Sequence, residues 1–218
     1  MQIVFNNEPL ENSAQSLWGF SGYLKEYKLL FDTGSNGRIL LKNMQKLGVD
    51  VLEIEYIFIS HSHWDHIGGI DSIIELNPNV TLFVPSSLSK HLIKDLKTLV
   101  KEVVVVGKKP QHLFDSLYST GILGTDMPEQ SLIVDGEKPF IISGCGHFGV
   151  KNIVEVAQEI IKKQIYKVEG GFHLLYSDEA KIKQTKEKLL EFGVKEFAPT
   201  HCSGQKAIEI FKALNNQQ

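Results

Sequence analysis

Arginine is almost absent from this chain. Arg38 is the single arginine among 23 basic residues, so one side chain at most can grip a phosphate or carboxylate with a two-pronged guanidinium. Positive charge is not in excess either: 23 Lys+Arg against 26 Asp+Glu give a net charge of -3. No global field exists to hold a nucleic-acid backbone or an anionic membrane, and neither is expected as a partner. No apolar run approaches the roughly 18 residues that a membrane span needs. The start, Met1-Gln2-Ile3-Val4-Phe5-Asn6-Asn7-Glu8, lacks a basic segment followed by an apolar core, so a cytoplasmic protein is expected. Cysteine is scarce as well. Cys145 and Cys202 are too few for a disulfide scaffold, and each lies within two residues of a histidine. Short repeats, low-complexity tracts and Pro/Gly/Ser linkers are missing. With 42% hydrophobic and 22% charged content over 218 residues, the chain reads as one globular domain, 1–218, with a substantial core.

What is present alternates between period 2 and period 3.6. Strands are expected across 17–31 around a Lys25–Lys28 turn, then at 54–60, 80–84, 102–106, 131–134, 140–143, 165–169 and 195–198. Helices are expected at 37–47, 68–76, 86–97, 149–163, 178–192 and 204–214, the last with Ala207, Ile210, Phe211 and Leu214 on one face. Between 107 and 131 the spacing of Gly107, Pro110, Gly121, Gly124 and Pro128 points to a long loop or hairpin excursion, a common place for substrate contacts.

Chemistry gathers at the ends of the strands. Asp32, His61, His147 and His201 each follow a separate strand, with His173 after a fifth. In layered α/β proteins those loops share one edge, where sites form. The densest stretch is His61-Ser62-His63-Trp64-Asp65-His66, followed by Ile67-Gly68-Gly69. Alternation along an extended segment puts His61 and His63 on one side, where a single metal can take both. Asp65 and His66 begin a helix, point differently and can hold a second cation, so the spacing predicts two metals. Imidazole and carboxylate donors suit Zn2+ first, with Fe and Mn compatible.

These residues, with Phe31-Asp32-Thr33-Gly34 before them and His147 and His201 after, resemble the metallo-β-lactamase-fold metallohydrolase superfamily over essentially the whole chain. The resemblance implies an α/β fold, a four-layer αββα sandwich. It implies site one from His61, His63 and His147 and site two from Asp65, His66 and His201, with Asp32 holding a ligand in register and Asp65 orienting the attacking hydroxide in a hydrolytic enzyme. Glu129-Gln130-Ser131-Leu132, Gly144-Cys145-Gly146-His147, Gly170-Gly171-Phe172-His173-Leu174 and Thr200-His201-Cys202-Ser203-Gly204 further resemble the branch of 7,8-dihydropterin-6-methyl-4-(β-D-ribofuranosyl)aminobenzene 5'-phosphate synthases. Those enzymes join an arylamine to a pterin carbon with loss of diphosphate.

One departure bears on mechanism. Glyoxalase II-like and tRNase Z-like relatives place a metal-bridging aspartate in a turn that here reads Gly171-Phe172-His173. A neutral imidazole there leaves the metal pair more positive and strengthens its hold on an anion such as diphosphate. His173 is therefore a candidate ligand or pocket residue rather than a core histidine. The expected activity is a diphosphate-displacing condensation on a small phosphate- or diphosphate-bearing molecule. The alternatives are a metal-dependent hydrolase of an ester, thioester, lactone or phosphoester, and a non-catalytic module stabilised by its metals. Lesser signals remain: Arg38 as a phosphate contact or a solvated surface residue, Trp64 as a pocket wall or packing under the loop, and Cys145 and Cys202 as sulfur ligands or, favoured, small buried residues. His91 and His112 read as surface residues.

Overall fold

A computed structural model describes residues 1–215. The chain falls into two compact units, the first Met1–Val106 and the second beginning at Gly107.

In the first unit a six-stranded mixed sheet runs in chain order: β1 (Gln2–Asn6), β2 (Phe20–Leu24), β3 (Leu29–Phe31), β4 (Tyr56–Phe58), β5 (Thr81–Pro85) and β6 (Glu102–Val106). The first three strands are antiparallel, and β3 through β6 are parallel. Each parallel crossover passes through helix: α1 (Gly37–Lys46), then α2 (Trp64–Ile67) with α3 (Ile70–Leu76), then α4 (Lys90–Leu99). Leu40 and Met44 of α1, Ile70, Ile73 and Ile74 of α3 and Leu96 of α4 pack with Ile57, Ile59, Leu82 and Val84 of the sheet segments. This is the burial that fixes which helix face turns inward.

The helix expected at 68–76 begins at Ile70, and a separate short helix, α2, ends before it at Ile67. The cause is a close approach: a Cβ on Gly69 would lie 2.2 Å from the Thr33 carbonyl, and one on Gly68 would lie 2.6 Å from that of Ser35. Only glycine lets the 33–35 loop press against the helix pair. Thr33 closes the contact, its N–H and its hydroxyl both donating to the His66 carbonyl at 2.7 and 3.0 Å.

The second unit carries a six-stranded sheet of its own, in order β12-β11-β10-β9-β8-β7. The expected excursion after 107 contains a hairpin, β7 (Gln111–Phe114) and β8 (Leu117–Ser119), followed by β9 (Leu132–Val134) and β10 (Phe140–Ser143) in antiparallel register. From β10 the pairing turns parallel through β11 (Lys167–Gly171) and β12 (Glu196–Thr200). The helices α5 (Val150–Ile161), α6 (Glu179–Glu191) and α7 (Gln205–Asn215) contribute Val150, Ile153, Val154, Ala157, Ile182, Leu189, Ala207 and Phe211 to its core. The side chain of Leu214 lies outside the described residues.

Two strands extend past their sequence-based limits. Strand β11 continues through Gly170 and Gly171, which pair with Ser143 of β10 and with Pro199 and Thr200 of β12; a Cβ on Gly170 would meet the Ser143 carbonyl at 2.0 Å, so the pairing needs glycine there. Strand β12 continues through Pro199, which an edge strand tolerates because one side of it makes no ladder. Both extensions carry the chain to His173 and His201. Among the described residues no helix is long and apolar enough to cross a membrane.

Candidate metal centre

The first unit builds one hydrogen-bonded cluster at the C-terminal ends of β3 and β4. Asp32 is fully buried and held at φ 51°, a left-handed conformation that costs a non-glycine residue and marks positions fixed by their surroundings. Its Oδ1 accepts the Ser60 N–H at 2.7 Å, and its Oδ2 accepts the Ser60 hydroxyl at 2.7 Å. The same Oδ2 lies 2.7 Å from His66 Nδ1. A carboxylate only accepts, so Nδ1 of His66 carries the proton. Ser60 spends its one hydroxyl proton on Asp32 and therefore accepts from His61 Nδ1, 2.8 Å away. Both imidazoles are thus locked as the Nδ1–H tautomer, and the lone pair of each ring sits on Nε2.

The motif converges around these two rings. The His61 ring centroid lies 4.6 Å from that of His63 and 4.2 Å from that of His66. Asp65, buried on α2, places Oδ2 3.7 Å from His66 Nε2. Imidazole nitrogen and carboxylate oxygen at that separation suit a shared borderline cation.

In the second unit Glu129 organises the loop between β10 and α5. Its Oε1 accepts the N–H groups of Cys145 and Gly146 at 2.9 and 3.0 Å. Its Oε2 accepts the His147 N–H at 3.0 Å and stands 2.8 Å from His147 Nδ1. The buried carboxylate thereby shapes the Cys145-Gly146-His147 turn and gives His147 the same Nδ1–H tautomer as His61 and His66.

His173 follows β11 at φ 53° with its side chain exposed to solvent, which removes the core-histidine alternative. Its ring is 4.8 Å from that of His147. Its pKa is raised by a hydrogen bond to Cys202, against the opposing effect of burial. Ser203 Oγ receives the Phe172 N–H at 2.9 Å, and the Ser143 hydroxyl donates to the Gly171 carbonyl at 2.6 Å; these fix the Gly170–His173 turn. His201 is buried at the end of β12, again at positive φ, 53°. Beside it the Cys202 thiol is held well below the usual thiol range by hydrogen bonding to Cys145 and then to His173, against the raising effect of burial. Cys145 and Cys202 are both buried, as expected, and no disulfide joins them.

The first unit therefore brings together Asp32, His61, His63, Asp65 and His66, and the second brings together His147, His173, His201 and the two cysteines. Arg38 is exposed on the first turn of α1. Trp64 is 61% exposed, so it does not pack under its loop. Two organising residues, Ser60 and Glu129, are not among those the sequence singled out as site residues. The cue for Ser60 is its place just before His61. The donor chemistry fits divalent metal: buried imidazoles with fixed tautomers, their Nδ1 protons taken by carboxylate or hydroxyl, and a carboxylate beside one Nε2.

Strand-end histidines and carboxylates of this kind define a metal-binding α/β protein. The metallo-β-lactamase superfamily profile matches residues 22–201, and the chain belongs to that superfamily and has its α/β fold. The 7,8-dihydropterin-6-methyl-4-(β-D-ribofuranosyl)-aminobenzene-5'-phosphate synthase of Methanocaldococcus jannaschii is 28% identical across 84% of this chain and 78% of its own length. The uncharacterized protein MJ0448 of the same organism is 27% identical, covering 91% of this chain and 88% of the relative. Among solved structures, Tm1679, described as a metal-dependent hydrolase of the β-lactamase superfamily, superimposes with a TM-score of 0.78 at 25% identity. That match covers 97% of this chain and 91% of the other.

Proposed function

We propose that the protein is a dinuclear metal enzyme that displaces diphosphate from a small molecule in a condensation with an arylamine-type nucleophile. The observation that carries the metal assignment is the shared tautomer of His61, His66 and His147, each with Nδ1 held by a fixed oxygen acceptor. Metal-ligating histidines almost always donate their other ring N–H to such an acceptor, which fixes tautomer and ring orientation. The proposed ligand sets are His61, His63 and His147 for one ion and Asp65, His66 and His201 for the other, Zn2+ first and Fe or Mn next. The similarity to the synthase of Methanocaldococcus jannaschii supports the choice of reaction.

When bound, two such cations supply Lewis acidity, offsetting the negative charge that builds on a departing diphosphate. The chain's own residues do the positioning. Asp32 keeps His66 from turning, and Ser60 relays the same constraint to His61. Glu129 fixes His147 and the turn that carries it. His173, exposed next to His147, offers an imidazole N–H to a phosphate oxygen without adding negative charge, unlike the aspartate of the hydrolytic relatives.

The similarity to Tm1679 favours a second reading, hydrolysis of an ester, thioester, lactone or phosphoester. The two are separated by incubating metal-loaded protein with a pterin-methyl diphosphate and an arylamine, and in parallel with lactone, thioester and phosphodiester substrates. Diphosphate release that requires the amine is the expected result. Ester turnover at about 10⁴ M⁻¹s⁻¹ or more, without diphosphate release, would overturn the condensation in favour of hydrolysis.

A further inference from the structure

We propose that Cys145 and Cys202 join His201 in a sulfur-bearing cation site, so that the metal served by His201 is held partly by thiolate. The proposal rests on the metal centre inferred above and adds to it a donor type outside the histidine and aspartate sets.

Three observations point to it. First, Sγ of Cys145, Sγ of Cys202 and a ring nitrogen of His201 all lie within 4.8 Å of one another, and all three residues are buried. A tetrahedral zinc with bonds of about 2.0 Å to nitrogen and 2.3 Å to sulfur needs its donors roughly 3.5–3.8 Å apart. The three donors therefore need to close by no more than about 1.3 Å, a side-chain adjustment. Second, the backbone makes room for the sulfurs. A Cβ on Gly171 would stand 2.6 Å from Cys202 Sγ, 2.8 Å from Cys145 Cα and 2.3 Å from the Gly144 carbonyl. Two of those neighbours are backbone atoms that cannot swing away, so glycine there keeps a cradle open around the sulfur. Third, the chain's only two cysteines, 57 residues apart in sequence, meet at this one place. The Cys202 thiol also donates a weak 3.4 Å hydrogen bond to the Cys145 carbonyl.

The chemistry follows from donor softness. Two thiolates and an imidazole favour Zn2+ or Cd2+ over Mn2+ or Mg2+, whereas a site of imidazole and carboxylate alone discriminates much less. Binding forms two metal–sulfur bonds and releases the two thiol protons to solvent, with no change of oxidation state.

The test is the absorption spectrum of the full-length protein stripped of metal and reloaded with Co2+. A thiolate ligand adds a near-ultraviolet sulfur-to-cobalt charge-transfer band to the visible bands that any nitrogen and oxygen coordination gives. The expected result is that band in the wild type, weakened in C145S and in C202S and absent in C145S/C202S, while the visible bands persist. In competition, the double variant should lose at least tenfold of its preference for Cd2+ over Mn2+. Visible bands without a charge-transfer band in the wild type would overturn sulfur ligation and leave the metal centre standing. No cobalt uptake at all would overturn both. The wild-type spectrum decides the matter even if a serine variant folds poorly.

Discussion

Oδ2 of Asp32 lies 2.7 Å from Nδ1 of His66, and both side chains are fully buried. The pair fixes the proton on Nδ1 and the lone pair on Nε2, and Asp32 cannot be replaced by its own amide without reversing that choice. Asparagine tolerates the φ of 51° at this position, so Asp32→Asn keeps the backbone. Its Oδ1 can still accept from Ser60 N–H, but its Nδ2 would face His66 Nδ1 as a donor and drive the proton to Nε2. Zinc affinity should fall by about 10–100-fold, read by competition with a chromophoric chelator, with the circular dichroism spectrum unchanged. Affinity equal to wild type would show that Asp32 serves only the fold.

Glu129 makes the same kind of contact with His147 and adds three backbone N–H groups, from Cys145, Gly146 and His147. In Glu129→Gln the amide can satisfy two donors and must oppose the other two. Each buried group left without a partner costs about 1–3 kcal/mol, so the urea midpoint should drop clearly and metal content should fall with it. A variant as stable as wild type would contradict the role given to this carboxylate.

The metal motif was legible because its candidate ligands lie within the six residues His61 to His66 at the end of a strongly apolar strand. Strand and helix order was legible for the same reason that the core packs: Leu40, Met44, Ile73 and Ile153, Val154, Ala157 recur at helical spacing and are all buried. What escaped were contacts that leave no periodic trace. Glu129 sits in an irregular loop and acts on N–H groups 16 to 18 residues later. The break between α2 and α3 and the run of β11 through Gly170 and Gly171 depend on carbonyls approaching glycines from distant segments. A propensity argument reads those glycines as stops, whereas packing uses them as clearance.

His173 tests the anion-binding side of the proposal. Its exposed imidazole stands beside His147, where added negative charge should repel diphosphate. Calorimetry with inorganic pyrophosphate on the metal-loaded protein should show about tenfold weaker binding in His173→Ala, the scale of one lost hydrogen bond to a charged group. His173→Asp should bind more weakly still, with metal content held in both. Equal affinity in all three proteins would remove His173 from the anion site.

The most direct measurement of the central claim is the metal-to-chain ratio, by elemental analysis, of the purified protein and of His61→Ala and His66→Ala after loading with Zn2+. The rings of these two histidines are 4.2 Å apart, yet each is assigned to a different ion. The wild type should hold about two equivalents and each variant clearly fewer, because each substitution removes a ligand from one ion's set and spares the other ion. A wild-type ratio near one, or variants that retain the full wild-type complement, would contradict a dinuclear centre.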